Sequence, residues 1–220
     1  MTAITSLPPT SDNPLFDKAT MELLATAIAE DGYGIFPHLL SADVQQGLIE
    51  LMVAKEAEDE FVAAGVGRGQ ETKVNSEIRN DSIIWLDDDS SSAIAHTYIN
   101  GMHRLCEFFR EFLFLSVFTY EGHLARYPAA GFYKPHLDRH EKTLAREISI
   151  ISYLNTDWDE SDGGQLRLFT DPSLGVNGPH IDVSPQAGTV VIFRSATFWH
   201  EVLPSKKTRL SLTGWLRGRD

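Results

Sequence analysis

The sequence predicts an α+β protein with a mainly β core: an antiparallel barrel or jelly roll behind supporting N-terminal helices. Three observations carry this. Helical spacing of apolar residues is confined to the first half of the 220 residues. From residue 120 onward the chain breaks into short runs rich in β-branched and aromatic residues, bounded by Gly, Pro, Asn and Asp. No helix-length pattern separates those runs, which argues against parallel βαβ units and for antiparallel layers.

Taken in order, residues 1–16 are rich in Pro, Ser, Thr and Asn and read as a flexible N-terminal arm. One domain is expected over 17–220, with helical support over 17–115 and a jelly-roll core from about 78 to 217. In DKATMELLATAIAE, residues 17–30, Met21, Leu24, Ala25 and Ile28 share one helical face, and Asp31-Gly32 ends the helix. GYGIFPHLL reads as a short strand. Ser41 is a natural N-cap for a second helix through VQQGLIELMVAKEAEDEF, which carries the apolar stripe Leu48, Leu51 and Met52. A third helix falls within 91–114. Between them, GVGRGQETKVNSEIRND (65–81), with three glycines, reads as a loop leading into a strand with Ile83, Ile84 and Trp85. The later strands are HLARYP, ISIISYLN, QLRLF, HIDVSP, GTVVIF and RLSLTGWL.

Composition excludes several functions. The single cysteine, Cys106, allows no internal disulfide and no Cys-rich metal site, which fits a reducing, cytoplasmic setting. The N-terminus lacks the basic start and apolar stretch of a secretory signal, and no run of 18 apolar residues suggests a membrane span. Residues 1–120 hold 7 Lys+Arg against 19 Asp+Glu, 7 − 19 = −12, whereas residues 121–220 hold 12 of each. A net charge of −12 without a basic stripe is a poor match to nucleic acid. The neutral C-terminal part can still hold a small anion in a local Arg/Tyr site.

Eight histidines are available, so spacing has to discriminate among them. Two His-x-Asp triplets occur, His136-Leu137-Asp138 and His180-Ile181-Asp182. Side chains two apart on an extended segment point the same way, so either could present a nitrogen and an oxygen to one metal. A third imidazole completes a two-His-one-carboxylate set, which leaves open positions on Fe(II). The first triplet follows a Gly-Phe-Tyr-Lys-Pro turn, and several strands separate it from His200. The second lies only 20 residues before His200, which allows little beyond one hairpin, so His180 and Asp182 read as a strand residue and a turn-capping carboxylate. Asp157, Asp159, Ser161 and Asp162 imitate part of a calcium loop, but the glycine and the final glutamate that such a loop needs are missing; they read as an acidic turn.

His136-x-Asp138, His200 and then Arg209 nine residues later resemble the 2-oxoglutarate/Fe(II) dioxygenase superfamily. RYPAAGFYKPHLD, SYLNTDW, DGGQLRLF, FWHEVLP and TRLSLTGW resemble its prolyl 4-hydroxylase branch. IRNDSIIWL is similar to the Arg-Gly-Asp segment of the HIF-type prolyl hydroxylases and their bacterial counterparts, with Asn80 in place of the glycine. The resemblance covers roughly 65–217. It implies a double-stranded β-helix, with Fe(II) held by His136, Asp138 and His200 and with 2-oxoglutarate and O₂ as co-substrates. It also implies ascorbate as reductant. Arg209 would meet the far carboxylate of 2-oxoglutarate through its planar fork, helped by Tyr153, Thr213 and Tyr127. Arg146, Trp215 and Tyr133 would line the substrate mouth, and an Arg79–Asp81 ion pair would anchor the glycine-bearing loop over a peptide. The implied activity is 4-hydroxylation of a prolyl residue in a cytoplasmic protein, with elongation factor Tu as a substrate suggested by the bacterial members. The alternatives are a hydroxylase of a free amino acid, which needs no peptide clamp, and a non-enzymatic jelly-roll metal binder, which needs no Arg209.

Overall fold

The computed structural model describes residues 15–65, 74–86, 91–139 and 144–219. Helix α1 (Lys18–Glu30) starts where the Asp17 carboxylate accepts a hydrogen bond from the Thr20 N–H, and it buries Met21, Leu24, Ala25 and Ile28. It ends at Gly32, whose φ of +76° suits glycine at a helix C-terminus. Strand β1 (Tyr33–Phe36) follows, then α2 (Ala42–Ala57), capped by Ser41 and buried through Leu48 and Met52. The second helix thus stops four residues before Phe61, the expected end. Glu58 and Glu60 fold back onto Lys55, and Asp59 turns the chain at φ +55°. That turn makes room for a strand the sequence did not suggest, β2 (Val62–Ala63), antiparallel to β3 (Ser82–Leu86). The long helix α3 (Ala93–Leu113) is capped by Ser92 and buries Tyr98, Ile99, Met102, Leu105, Cys106 and Phe109. Among the described residues, no helix is long and apolar enough to cross a membrane.

Eight further strands build the core: β4 (Thr119–Tyr127), β5 (Tyr133–His136), β6 (Arg146–Tyr153), β7 (Leu166–Phe169), β8 (His180–Val183), β9 (Val190–Arg194), β10 (His200–Val202) and β11 (Arg209–Arg217). They are distributed between a seven-stranded sheet, β1-β9-β6-β11-β4-β3-β2, and a four-stranded sheet, β5-β10-β7-β8. All strand pairs are antiparallel. From β4 onward the chain passes back and forth between the two sheets, which is the winding of a double-stranded β-helix.

Two-residue periodicity sorts the large sheet's side chains. On one face Leu124, Ile148, Ile150, Val190, Ile192, Leu212 and Leu216 pack under the three helices. On the other, Ile151, Tyr153, Val191 and Phe193 meet Leu166, Leu168 and Val183 of the small sheet. Gly122 of β4 and Gly214 of β11 are register partners, and a Cβ at either would sit 2.1–2.2 Å from the Tyr120 hydroxyl, so the pair leaves room for that ring.

The expected N-terminal arm needs correction at its end. Phe16 is buried in the helical core, and Leu15 packs against Gly101 of α3, so the folded part includes both. Residues 1–14 and most of the expected 65–77 loop, namely 66–73, lie outside the described residues.

Candidate metal centre and co-substrate pocket

Strand register brings the two histidines together. His200 of β10 is the direct cross-strand partner of His136, at the end of β5. Asp138 lies two residues beyond β5 and carries its carboxylate to both: Oδ1 is 3.6 Å from His136 Nε2, and Oδ2 is 3.6 Å from His200 Nε2. One ligand atom from each of the three falls within 4.8 Å of the others, a set that can hold a metal ion. Each imidazole is oriented by its own backbone. His136 Nδ1 lies 2.8 Å from the Lys134 carbonyl, and His200 Nδ1 lies 3.1 Å from that of Phe198. A carbonyl can only accept, so Nδ1 carries the proton in each ring and Nε2 presents its lone pair inward.

Electrostatics favour the same state. Burial and the neighbouring His136 push His200 down to about 4, so its imidazole is neutral at physiological pH. Burial alone would raise the Asp138 carboxyl, but the two histidines and Arg146 outweigh it and hold it well below the usual carboxylate range. Two imidazoles and one carboxylate, with nitrogen and oxygen donors, suit Fe(II).

The centre opens into a cavity of about 460 Å³ between the sheets. At one end lies Arg209, 2% exposed, with its guanidinium about 5 Å from the ring centres of Tyr127 and Tyr153. Its Nε donates to the Gly164 carbonyl at 2.9 Å, and its NH1 is 3.5 Å from the Ser211 hydroxyl. Among the described residues no carboxylate pairs with it. The buried Tyr153 hydroxyl beside it has no partner of good hydrogen-bond geometry among the described residues, Arg209 being its nearest polar neighbour. Burial pushes that hydroxyl up to about 12, with the Arg209 charge working against the rise. A buried unpaired cation beside an unsatisfied hydroxyl is what the far carboxylate of 2-oxoglutarate requires, so these residues fit that co-substrate.

The other expected site residues divide into two groups. Thr213, Tyr127, Tyr133, Arg146, Trp215 and Arg79 line the same cavity. Tyr153 and Asp81 stand behind it: Tyr153 flanks Arg209, and Asp81 accepts from the Arg79 Nε at 2.7 Å. The Arg79 guanidinium in turn lies 4.3 Å over Tyr133, whose ring stacks on His136 at 3.6 Å. Asn80, in the position expected for glycine, uses its side-chain carbonyl to accept from the Phe132 N–H at 2.8 Å, tying this segment to the chain just before β5. The second triplet is elsewhere. His180 is exposed on β8, and Asp182 pairs with Arg167 through two bonds of 2.8 Å. The acidic turn at 157–162 is held by Lys207, 2.9 Å from Asp162 and 3.6 Å from Asp157.

Glu121, Arg217, His123 and Ser149 at the site escaped sequence reasoning. Glu121 receives Arg146 Nε at 2.7 Å and Arg217 NH1 at 3.1 Å, while the Arg146 guanidinium lies 3.4 Å over Trp215. His123, pushed well below its ordinary value by burial, sits between Trp85 and Trp215. Ser149 donates to Asp138 Oδ2 at 2.6 Å. The alternation of β4 was the available signal: Glu121 and His123 share a face with Tyr127.

Comparison with known proteins agrees with this geometry. The family model described as the 2OG-Fe(II) oxygenase superfamily matches residues 122–217. A crystal structure of a prolyl-4-hydroxylase from Pseudomonas putida is 35% identical, covers 91% of this chain and 100% of its own, and superposes with a TM-score of 0.79. A prolyl hydroxylase from Trichoplax adhaerens, solved with a peptide fragment of the hypoxia inducible factor oxygen degradation domain, is 20% identical over 90% of this chain and 88% of its own, with a TM-score of 0.77. Prolyl 3-hydroxylase OGFOD1 of Xenopus laevis is 37% identical over 78 residues; the match spans 33% of this chain but 15% of that protein.

Proposed function

Because the chain belongs to the 2OG-Fe(II) oxygenase superfamily, we propose that it 4-hydroxylates a prolyl residue of a protein, with His136, Asp138 and His200 holding Fe(II) and Arg209 holding 2-oxoglutarate. The observation that carries this is the juxtaposition in one cavity of the metal cluster and a buried arginine with no carboxylate partner among the described residues. The prolyl part rests on the Pseudomonas putida enzyme, similar along its whole length.

When bound, the metal and co-substrate supply the oxidising power: O₂ takes two electrons from 2-oxoglutarate as it becomes succinate and CO₂, and two from the substrate C–H that becomes C–OH. The protein's part is orientation and dryness. Arg209 receives the far carboxylate through its planar fork, with Tyr153 and Thr213 beside it. Tyr127 closes the face of the guanidinium. Tyr133, pressed between Arg79 and His136, keeps that imidazole from rotating. Trp215 and Arg146, the guanidinium stacked on the indole and held by Glu121, line the other side of the cavity, where Arg146 would offer its donors to a carbonyl flanking the target proline. The Arg79–Asp81 pair anchors the segment that enters β3. Ascorbate as reductant and a cytoplasmic location belong to the same proposal, and elongation factor Tu is the first protein to test.

The test is incubation of elongation factor Tu, and of whole lysate, with enzyme, Fe(II), ascorbate and 2-oxoglutarate. The expected result is one added oxygen on a proline, co-eluting with 4-hydroxyproline after hydrolysis. A gain of 3-hydroxyproline would correct the regiochemistry. Turnover of free amino acids with none on any protein would replace the reading by the small-molecule one.

A further inference from the structure

His136 and His200 are held by the ladder between β5 and β10, but Asp138 lies beyond the end of β5, where no ladder bond fixes it. Its surroundings supply the restraint. Ser149 of β6 and Ser195, one residue past β9, are both fully buried. Ser149 Oγ is 2.6 Å from Asp138 Oδ2, and Ser195 Oγ is 2.8 Å from Ser149 Oγ. A carboxylate only accepts, so the single Ser149 proton is committed to Asp138, and Ser195 must donate to Ser149. The order of the chain is therefore Ser195 to Ser149 to Asp138.

The backbone repeats the connection. The Arg139 N–H donates to the Ser195 carbonyl at 3.1 Å, and the Ser195 N–H donates to the Glu147 carbonyl at 3.0 Å. Arg139 NH1 lies 2.6 Å from Glu147 Oε2. The segment carrying Asp138 is thus gripped by the start of β6 and the end of β9 through both backbone and side chains. Ser149 also occupies the inner face of β6, in line with the apolar Ile151 and the ring of Tyr153. A fully buried hydroxyl there costs desolvation that an aliphatic side chain would not, and its bond to Asp138 offsets that cost.

We propose that Ser149 and Ser195 are positioning residues, a two-hydroxyl relay that sets the plane of the Asp138 carboxylate for the metal. This rests on reading His136, Asp138 and His200 as the metal ligands. Neither serine touches the ion or the substrate; each acts through Asp138.

The test uses the full chain stripped of metal, with Mn(II) as probe and the free ion counted by electron paramagnetic resonance. Ser149→Ala should weaken Mn(II) binding about 10- to 100-fold, the usual cost of losing a group that orients a ligand. Ser195→Ala should weaken it roughly threefold or more, and the double variant should be no worse than Ser149→Ala, because Ser195 works through Ser149. Ser149→Thr, which restores the hydroxyl, should recover most of the affinity. The control is Ser152→Ala: equally buried, on the opposite face of β6 and bonded to Tyr98 at 2.9 Å, it should alter melting temperature without altering Mn(II) affinity. Ser195→Ala carries the test if Ser149→Ala folds poorly. Mn(II) binding within twofold of wild type in the folded serine variants, or an equal loss in Ser152→Ala, overturns the relay. Wild-type protein that fails to bind Mn(II), or His200→Ala that binds it normally, overturns the ligand assignment and the relay with it.

Discussion

Replacing Arg209 by Met should abolish 2-oxoglutarate binding while leaving the metal-free fold nearly as stable as before. Wild-type Arg209 is a cation 2% exposed, with one bond to the Gly164 carbonyl at 2.9 Å, a longer one to Ser211 at 3.5 Å, and no carboxylate partner among the described residues. Methionine removes the Gly164 bond, at a cost of about 1–2 kcal/mol. It also removes the desolvation penalty of an unpaired charge, which acts in the opposite direction. The two offset, so the net change should stay within about 2 kcal/mol, or roughly 4–8 °C for a chain of this size. Ligand binding has no such offset. Two charge-assisted bonds to a carboxylate contribute about 1.5–3 kcal/mol each, so their loss weakens 2-oxoglutarate at least ~100-fold. Thermal melts with Mn(II) and increasing 2-oxoglutarate read this directly. At 100 times Kd the wild type should gain about 2.7 kcal/mol, roughly 5–11 °C, and the variant almost nothing. The shift due to Mn(II) alone should persist in both. Arg209→Lys keeps the charge but loses the fork, so its KM for 2-oxoglutarate should rise about tenfold. A variant that keeps the full 2-oxoglutarate shift would refute the reasoning, since some other cation would then hold the co-substrate.

Three further outcomes are expected. His136→Ala, Asp138→Ala and His200→Ala should each lose Mn(II) binding and coupled 2-oxoglutarate turnover, whereas His180→Ala, on an exposed strand, should keep both; an inactive, folded His180→Ala would reverse the choice of triplet. His200 is held at about 4 in the folded chain against about 6.5 unfolded, so as pH falls below 6.5 the unfolded state binds the proton first and the metal-free protein loses stability, on the order of 3 kcal/mol by pH 4. His200→Gln should flatten that part of the melting curve, and parallel curves for the two proteins between roughly pH 7 and 4.5 would count against it. Gly214→Ala places a Cβ 2.2 Å from the Tyr120 hydroxyl and should cost about 1–3 kcal/mol in urea unfolding, partly relieved by Tyr120→Phe; an unchanged midpoint would mean that the ring moves freely.

The strands and the metal set were legible in the sequence because both depend on local pattern. Alternation and punctuation marked six of the eight core strands from β4 onward; β5 and β10, four and three residues long, were missed, because so short a run carries no alternation of its own and β5 reads as a turn around Pro135. His136 and Asp138 stood out by a spacing that extended backbone converts into one direction, whereas His200 joined them only through its place in the order His-x-Asp, His, Arg209 that resembles the superfamily. What was hidden depends on partners distant in sequence. The turn at Asp59 and strand β2 exist because Val62 pairs with Ile83, a long-range contact that no local pattern records. Phe16 sits in a Pro- and Ser-rich stretch and is buried only because the helices offer a cleft. Glu121 looked like one acid among many until β11 placed Arg217 beside it and β6 placed Arg146. Ser149 and Ser195 carry no signal at all in isolation; only the 46-residue gap closed by the β6–β9 pairing brings their hydroxyls together.

Strand parity then explains how one strand serves both stability and chemistry. Along β11, Leu212 and Leu216 point to the helices and are fully buried in the apolar core, while Arg209, Thr213, Trp215 and Arg217 point to the cavity. The same division holds on β4, where Leu124 faces the helices and His123 and Tyr127 face the site. A cavity lined by charged and aromatic groups is a poor core, so the apolar contribution to stability must come chiefly from the helix-facing side. That side is where the three capped helices are spent, and it frees the inner face to carry a buried unpaired arginine and an unsatisfied tyrosine hydroxyl. Both are costs in the metal-free protein, and a carboxylate bound there as proposed would remove both. The pocket is therefore least comfortable when empty, which is the condition under which co-substrate binding stabilises the fold most strongly.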